Sequence, residues 1–234
     1  MNVKLLLVKR QEDIVVLTMN RPNKRNALSN ALVTALENSF ARLPKGSLCI
    51  VLQVAGEDFS AKLDVIDLID AGTPNPVLFM RRSTQWHRVF DLIQFGGVPF
   101  VSVLKGDLIG GGRELATAAH LRVSERSVFV QLPEGQLGIF VGGGSVRIPS
   151  TLGDLCVIEI MLTGHSHDAE ASLQLGLSHY VLDDGASAYP FADNHLRAPC
   201  DFVRARAPRR LKLHGGESTR SVIKSESSGL MTGV

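Results

Sequence analysis

The sequence runs Gly106-Asp-Leu-Ile-Gly-Gly-Gly-Arg-Glu-Leu-Ala116 and later continues as Gln131-Leu-Pro-Glu-Gly-Gln-Leu-Gly-Ile-Phe-Val-Gly-Gly-Gly144. Three glycines directly before a helix let the backbone take conformations closed to other residues and approach a ligand closely. They also leave the first N–H groups of that helix without intrahelical partners, where the helix dipole favours negative charge. These glycine-rich turns therefore predict a site for an oxygen that becomes an anion during a reaction.

Each glycine-rich turn carries one acid, Glu114 in the first turn of the helix and Glu134 in a Pro-Glu-Gly turn. Taken singly, each has a structural explanation. An acid near a helix N-terminus stabilises the helix by about 0.3–1 kcal/mol, and an acid in a turn is usually solvated. As a pair beside the donor site, the two carboxylates can move protons to and from a substrate carbon or a water molecule. The pair indicates an enzyme site.

Residues 59–64, Phe-Ser-Ala-Lys-Leu-Asp, form a second junction between a strand and a helix. The backbone N–H of Ala61 is a candidate second donor, facing the same space as the N–H of Gly111. Asp64 has the simpler explanation of a helix cap. Lys24 and Arg25 lie in a basic loop and can meet a phosphate, although a solvated basic turn explains them equally well.

Motifs for metals, nucleotides and nucleophilic serine are missing from the sequence. His165-Ser-His167 has no carboxylate or cysteine at ligand spacing, so we predict a surface turn there rather than a metal site. The sequence also lacks the dinucleotide fingerprint, the P-loop and the Gly-x-Ser-x-Gly elbow of serine hydrolases.

Composition places the chain among ordinary globular proteins. Its 234 residues suit one domain with or without an appendage, and 44% are hydrophobic and 21% charged. The net charge of +2 gives no reason to expect nucleic acid. Three widely spaced cysteines suit a reducing compartment, and no apolar run is long enough for a signal peptide core or a membrane helix. We expect a cytoplasmic protein that does not bind membranes.

Alternating strand and helix patterns predict an α/β core. Strands at 3–9 and 14–19 read as a hairpin, and Ser29 as the N-cap of the following helix. The apolar runs at 48–54 and 100–104 are typical of strands buried on both faces. The other predicted elements are helices at 64–68, 78–95, 111–119, 154–162 and 168–175, and strands at 121–124, 128–131 and 179–182.

The last part of the chain has a different character. Residues 191–234 contain eight Lys or Arg against four Asp or Glu, and the segment from 183 onward shows no sustained apolar period. We expect it to be poorly structured or only locally helical. The predicted organisation is a core at residues 1–183 and a basic tail at 184–234.

The order of the motifs resembles the enoyl-CoA hydratase/isomerase (crotonase) superfamily from about residue 15 to residue 181. The blocks that carry this resemblance are Asn20-Arg-Pro with Asn26-Ala-Leu, Phe59-Ser-Ala with Asp64, Gly110-Gly-Gly-Arg-Glu-Leu-Ala, Pro133-Glu with Leu137-Gly-Ile and Gly142-Gly-Gly, and Leu162-Thr-Gly with Gly176-Leu. The resemblance implies a spiral of ββα units and a helical C-terminal region that builds a trimer or a dimer of trimers. It also implies an acyl-CoA thioester substrate and no separate cofactor, since coenzyme A is part of the substrate.

The resemblance also assigns roles in the site. It implies that the N–H groups of Ala61 and Gly111 form an oxyanion hole for the thioester oxygen. Glu114 is expected to orient and deprotonate water for attack at the β-carbon, and Glu134 to supply the α-proton. The early loop is expected to contact coenzyme A through Lys24, Arg25 and Ala27.

Several positions depart from the family pattern. Lys62 replaces the usual glycine, where its side chain either narrows the thioester pocket or reaches the CoA phosphates, and Lys105 and Val141 are also unusual. The tail lacks the long amphipathic helices of the family, which suggests a degenerate or frame-shifted segment. An intact mass from the native source that matches this sequence argues against the frame shift.

Because both glutamates are present, we expect a hydratase that adds water across a 2-trans-enoyl-CoA. The alternatives are an isomerase or another crotonase-type enzyme, or a non-catalytic relative that binds acyl-CoA or a partner chain. Lys62 and the unusual tail motivate the non-catalytic alternative.

Overall fold

The computed structural model describes residues 4–44, 46–61, 76–133, 136 and 154–183. Within them lie nine strands and five α-helices. The strands are β1 (Leu6–Gln11), β2 (Ile14–Met19), β3 (Cys49–Val54), β4 (Phe100–Leu104), β5 (Asp107–Ile109), β6 (Leu121–Glu125), β7 (Phe129–Gln131), β8 (Ser166–His167) and β9 (Tyr180–Leu182). The helices are α1 (Asn30–Ala41), α2 (Pro76–Phe95), α3 (Gly111–Thr117), α4 (Asp154–Thr163) and α5 (Ala169–Gln174).

The larger sheet has six strands in the order β1-β2-β3-β4-β6-β9. Among the described residues, the hairpin of β1 and β2 is the one antiparallel pair of this sheet. Gln11 lies opposite Ile14, and Glu12 takes a positive φ of 55° in the turn. The predicted hairpin is thus confirmed, although its first strand begins later than expected. The other neighbours are parallel, as crossovers through helices require.

A smaller sheet of three strands, in the order β5-β7-β8, lies beside the first. The chain passes from β4 in the larger sheet to β5 in the smaller one, then from β6 to β7, and finally from β8 back to β9. This alternation is the crotonase-like spiral of the α/β fold. It corrects two predictions: β5 was expected to be part of a turn, and Ser166–His167 is a short strand rather than a surface turn.

Both faces of the larger sheet are covered. Val15 and Leu17 belong to one apolar cluster, which contains residues of α1 and α2, whereas Ile14 and Val16 belong to a second cluster on the opposite face. Alternate residues of a strand point to opposite faces, so a strand buried on both sides needs a continuous apolar run. The second cluster contains the buried Cys49, as expected for a small hydrophobic residue.

Local signals explain where the helices begin. The Ser29 side chain accepts a hydrogen bond from the N–H of Leu32 at 3.2 Å, which confirms the predicted cap of α1. Helix α2 has Pro76 as its first residue, where a missing N–H breaks no helical hydrogen bond, and it starts two residues before the predicted position. None of the helices within the described ranges is long and apolar enough to span a membrane.

Candidate active site

A tight loop before α1 is organised by the buried side chain of Asn26. Its Oδ1 accepts the Arg21 N–H at 2.9 Å, and its Nδ2 donates to the carbonyls of Ala55 at 2.9 Å and Asp58 at 2.8 Å. Arg25 and Asn26 both have φ values of 50°, in the left-handed region that residues other than glycine rarely occupy. The three side-chain bonds hold this turn against the segment after β3.

The guanidinium group of Arg25 lies between two carboxylates. Its Nε donates to Asp58 at 2.8 Å, and its Nη2 forms an ion pair with Asp107 at the start of β5. One Asp58 oxygen also accepts the N–H of Asp107 at 3.0 Å. Arg25, Asp58 and Asp107, which we call the Arg25 clamp, tie the early loop to the strand that leads into the glycine turn.

Residues 59–61 run beside β5 as a short extended segment. The Phe59 N–H donates to the Lys105 carbonyl at 2.8 Å, and the Ser60 N–H to the Asp107 carbonyl at 3.0 Å. The Ser60 carbonyl accepts the N–H of Ile109 at 2.9 Å. The next amide, that of Ala61, leaves this ladder and donates to the carbonyl of Arg25 at 3.0 Å.

The glycine turn brings α3 against residues 59–61. Gly110 has φ 57° and ψ −123°, a conformation open only to glycine, and Gly111 is the first residue of α3. A Cβ on Gly112 would lie 2.5 Å from the Ser60 Cβ and 2.7 Å from the Ser60 carbonyl oxygen. The structure therefore brings the neighbouring Ala61 and Gly111 segments together, and no acceptor for the Gly111 N–H occurs in the described part of the chain.

Glu114 lies on the first turn of α3 and is 8% exposed. Its backbone N–H donates to the Gly110 carbonyl at 3.3 Å, which closes the first helical turn around the glycines. A buried acid three positions beyond the Gly111 amide is the arrangement that proton transfer beside backbone donors requires.

Glu134 and Lys62 lie outside the described residues. The chain approaches position 134 from β7, whose last residue, Gln131, accepts the N–H of Gly110 on its carbonyl at 3.2 Å. The end of β7 is thus bonded to the glycine turn that leads into Glu114.

The sequence motifs did not single out Arg113, which is fully buried next to Glu114. Burial lowers the pKa of His167 in β8, and the charge of Arg113 lowers it further. The signal in the sequence that points to Arg113 is its position, between three glycines and an acid in a short helix.

The three residues of the early loop that were predicted to contact CoA differ in exposure. Lys24 is exposed, Ala27 is buried, and the Arg25 guanidinium is already held by the clamp. Roles for these three residues in binding CoA remain predictions. Lys24 and Arg25 are both exposed, and the Arg25 side chain is paired with Asp58 and Asp107.

Comparison with known proteins identifies the class that this fold and site define. The model of the enoyl-CoA hydratase/isomerase family matches residues 9–187. The chain belongs to that family, within the crotonase superfamily. A crystal structure of a candidate enoyl-CoA hydratase from Rhodopseudomonas palustris is 35% identical, with a TM-score of 0.77, and the match covers 96% of this chain and 90% of that one.

Curated relatives catalyse different reactions, according to their names. The 2,3-dehydroadipyl-CoA hydratase of Escherichia coli is 32% identical over 178 residues, covering 74% of this chain and 67% of that protein. The human mitochondrial Delta(3,5)-Delta(2,4)-dienoyl-CoA isomerase is 27% identical over 192 residues, covering 77% of this chain and 58% of that protein. The match to the fatty acid oxidation complex subunit alpha of Shewanella frigidimarina spans only 26% of that protein.

Proposed function

We propose that the protein is an enoyl-CoA hydratase, which adds water across the 2,3 double bond of a 2-trans-enoyl-CoA thioester. The observation that carries this proposal is the buried Glu114 on the first turn of α3, three residues after Gly111, in a helix whose Gly112 packs against Ser60. Glu114 and the Gly111 donor thus lie on one turn of α3, and the Gly112 contact with Ser60 brings the segment of the Ala61 donor next to that turn.

In the proposed reaction, the thioester oxygen accepts hydrogen bonds from the N–H groups of Ala61 and Gly111. Glu114 removes a proton from water as the water oxygen attacks the β-carbon, and the negative charge passes to the thioester oxygen as an enolate. Glu134 then gives a proton to the α-carbon, which restores the thioester. The donors act because they stabilise charge that exists only after attack has begun.

Coenzyme A is part of the substrate in this proposal, and no further cofactor takes part. We propose that the exposed Lys24 binds a CoA phosphate as a point charge and that the backbone of the same loop, at Ala27, also contacts CoA. Lys62 directly follows the Ala61 donor and is proposed as a second cation for the CoA phosphates.

An isomerase is the second candidate, because the human dienoyl-CoA isomerase is 27% identical to this chain. A hydratase needs two protein groups that transfer protons, one with the water molecule and one with the substrate α-carbon. Moving a double bond needs one group that carries a proton between two carbons. The presence of both Glu114 and Glu134 favours the hydratase.

The test follows loss of the enoyl absorbance of crotonyl-CoA with the wild-type protein and two variants, Glu114→Gln and Glu134→Gln. We expect each variant to lose about 10²–10⁴-fold in kcat, because each removes one general acid–base group. Glu37→Gln is the matched control: it makes the same chemical change on α1, where Glu37 pairs with Arg88, and we expect it to keep wild-type turnover.

A 3-enoyl-CoA substrate separates the two candidates. Conversion of 3-enoyl-CoA with no hydration of crotonyl-CoA supports the isomerase and contradicts the hydratase. No turnover of either thioester at any chain length supports the non-catalytic relative.

A further inference from the structure

The Ala61 amide, a donor to the thioester oxygen in the proposed function, already has an acceptor in this structure. Its N–H donates to the carbonyl oxygen of Arg25 at 3.0 Å. A backbone N–H carries one hydrogen and makes one well-aligned bond at a time. The substrate oxygen therefore has to take the place of the Arg25 carbonyl before Ala61 can stabilise an enolate.

The clamp holds the Arg25 carbonyl in that position, and the backbone conformation of Arg25 lets it move once the clamp is weakened. The guanidinium of the same residue is fixed by Asp58 and Asp107, so the clamp anchors the side chain on one side of the turn. The backbone of Arg25, with φ 50° and ψ 40°, lies in a region sparsely populated by residues other than glycine, as does that of Asn26. Such a conformation persists only where the surroundings hold it, and it moves when they release it.

We propose that Arg25 is a positioning residue that acts as a latch on the Ala61 donor. In the unliganded protein its carbonyl occupies the Ala61 N–H, and the clamp with Asp58 and Asp107 stabilises this closed turn. Binding of the acyl-CoA thioester displaces the carbonyl, and the thioester oxygen becomes the acceptor. This latch rests on the proposed function, since it concerns the same oxyanion site.

Weakening the clamp should change substrate affinity in opposite directions for a latch and for a rigid scaffold. When only the open turn binds the thioester fully, the apparent affinity is reduced by the fraction of open molecules. Weakening the clamp raises that fraction and strengthens substrate binding. A clamp that served only to build the site would have the opposite effect, because its loss would misplace the donor.

Asp107→Asn is the sharpest variant for this test. Asp107 contributes its carboxylate to Arg25, whereas the Asp58 carboxylate also accepts the Asp107 N–H and is needed for the local backbone. We expect Asp107→Asn to lower the KM for crotonyl-CoA by roughly two- to fivefold, the range for loss of an exposed ion pair, with kcat within about twofold. Glu37→Gln, which weakens the Arg88 ion pair on α1, is the control and leaves KM unchanged. An unchanged or raised KM, or a kcat lowered by more than about twofold, in Asp107→Asn overturns the latch.

Amide hydrogen exchange at Ala61 gives a measurement that does not depend on turnover. We expect faster exchange of this amide in free Asp107→Asn than in the free wild-type protein or in Glu37→Gln. The saturated thioester butyryl-CoA, which cannot be hydrated, should shift the Ala61 amide resonance. Binding of butyryl-CoA that leaves this resonance unmoved overturns the latch and the role of Ala61 as an oxyanion donor, but leaves the hydratase activity itself standing. Absence of any binding overturns the proposed function and the latch with it, and unchanged exchange in free Asp107→Asn overturns the role of the clamp.

Discussion

Gly112 lies so close to Ser60 that a Cβ on the glycine would sit 2.5 Å from the Cβ of the serine. Alanine usually stabilises a helix relative to glycine by about 0.5–1 kcal/mol, yet here the extra methyl group has no room. The contact fixes the distance between α3, which carries Glu114, and the segment that carries Ala61. Packing between these two elements therefore sets the geometry of the candidate site.

Gly112→Ala should destabilise the protein and impair the site. Overpacking of this kind costs about 1–3 kcal/mol, and the methyl group would also meet the Ser60 carbonyl oxygen, which cannot rotate away as a side chain can. Urea unfolding should show the lower stability, and turnover per folded molecule should fall as the donors separate. Gly97→Ala is the control: Gly97 has a φ of 77° but no atom within 4 Å of the added Cβ, so only stability should change.

Asn26→Ala should lower the free energy of unfolding by about 1–3 kcal/mol, because it removes the buried side chain that bonds the Arg21 N–H and the half-buried carbonyls of Ala55 and Asp58. Asn26→Asp keeps the acceptor but replaces the donor with a carboxylate that faces the carbonyls of Ala55 and Asp58. We expect this variant to regain stability as the pH falls and its carboxyl group takes up a proton. Equal stability of Asn26→Asp across the acidic range would contradict the bonding that the structure shows.

Arg122 makes a second buried anchor, between β6 and the turn before β9. Its guanidinium donates to the carbonyls of Leu177 at 2.7 Å, Ala119 at 2.9 Å and Gly176 at 3.3 Å. Burial lowers the pKa of Arg122 to about 10, so the side chain stays charged at neutral pH. Arg122→Lys cannot reproduce the forked geometry and should cost about 1–3 kcal/mol in thermal or urea unfolding. The exposed Arg126→Lys should change stability by less than about 0.5 kcal/mol.

Stability should decrease as the pH falls below neutrality, in part because of His179. Its Nδ1 accepts the Arg122 N–H at 3.1 Å. Burial lowers the pKa of His179 below 6.5, and the charge of Arg122 lowers it further. The unfolded chain therefore binds more protons than the folded one below pH 6.5, so this contribution is complete above that pH and is lost as the pH falls toward the folded pKa.

Urea unfolding at about pH 7.5 and about pH 5.5 measures this dependence. We expect His179→Asn, whose amide oxygen can still accept a hydrogen bond, to lose less stability over that interval than the wild-type protein. The exposed His165→Asn should behave as the wild type. A loss of stability in His179→Asn that equals or exceeds that of the wild type would count against His179 as the source of the pH dependence.

Much of the fold follows from periodicity. The positions of β3 and β4 could be predicted because strands buried on both faces require long apolar runs, and α1 because Ser29 caps a regular apolar stripe. Two short strands were missed. Asp107–Ile109 and Ser166–His167 have too few residues for a period of two to emerge, and only their pairing in the smaller sheet makes them strands.

The candidate site was predictable in outline for a different reason. Glycines mark the turn before Glu114 because no other residue takes the φ and ψ of Gly110. Sequence could not show that the Ala61 N–H is occupied by the Arg25 carbonyl or that Arg25 lies between Asp58 and Asp107. These contacts join segments far apart along the chain, and no local pattern encodes them.

The spiral has a consequence for the order of folding. Its first pair, β1 and β2, closes a turn of only a few residues, whereas β9 must find β6 across a long intervening chain, with Arg122 and His179 57 positions apart. Closing long loops loses more chain entropy before any contact compensates for it, so distant strand pairs form slowly. We expect the amides of the hairpin to be protected from hydrogen exchange first during refolding. Strand β9 should pair last, when the Arg122 side chain forms its bonds to the turn before β9.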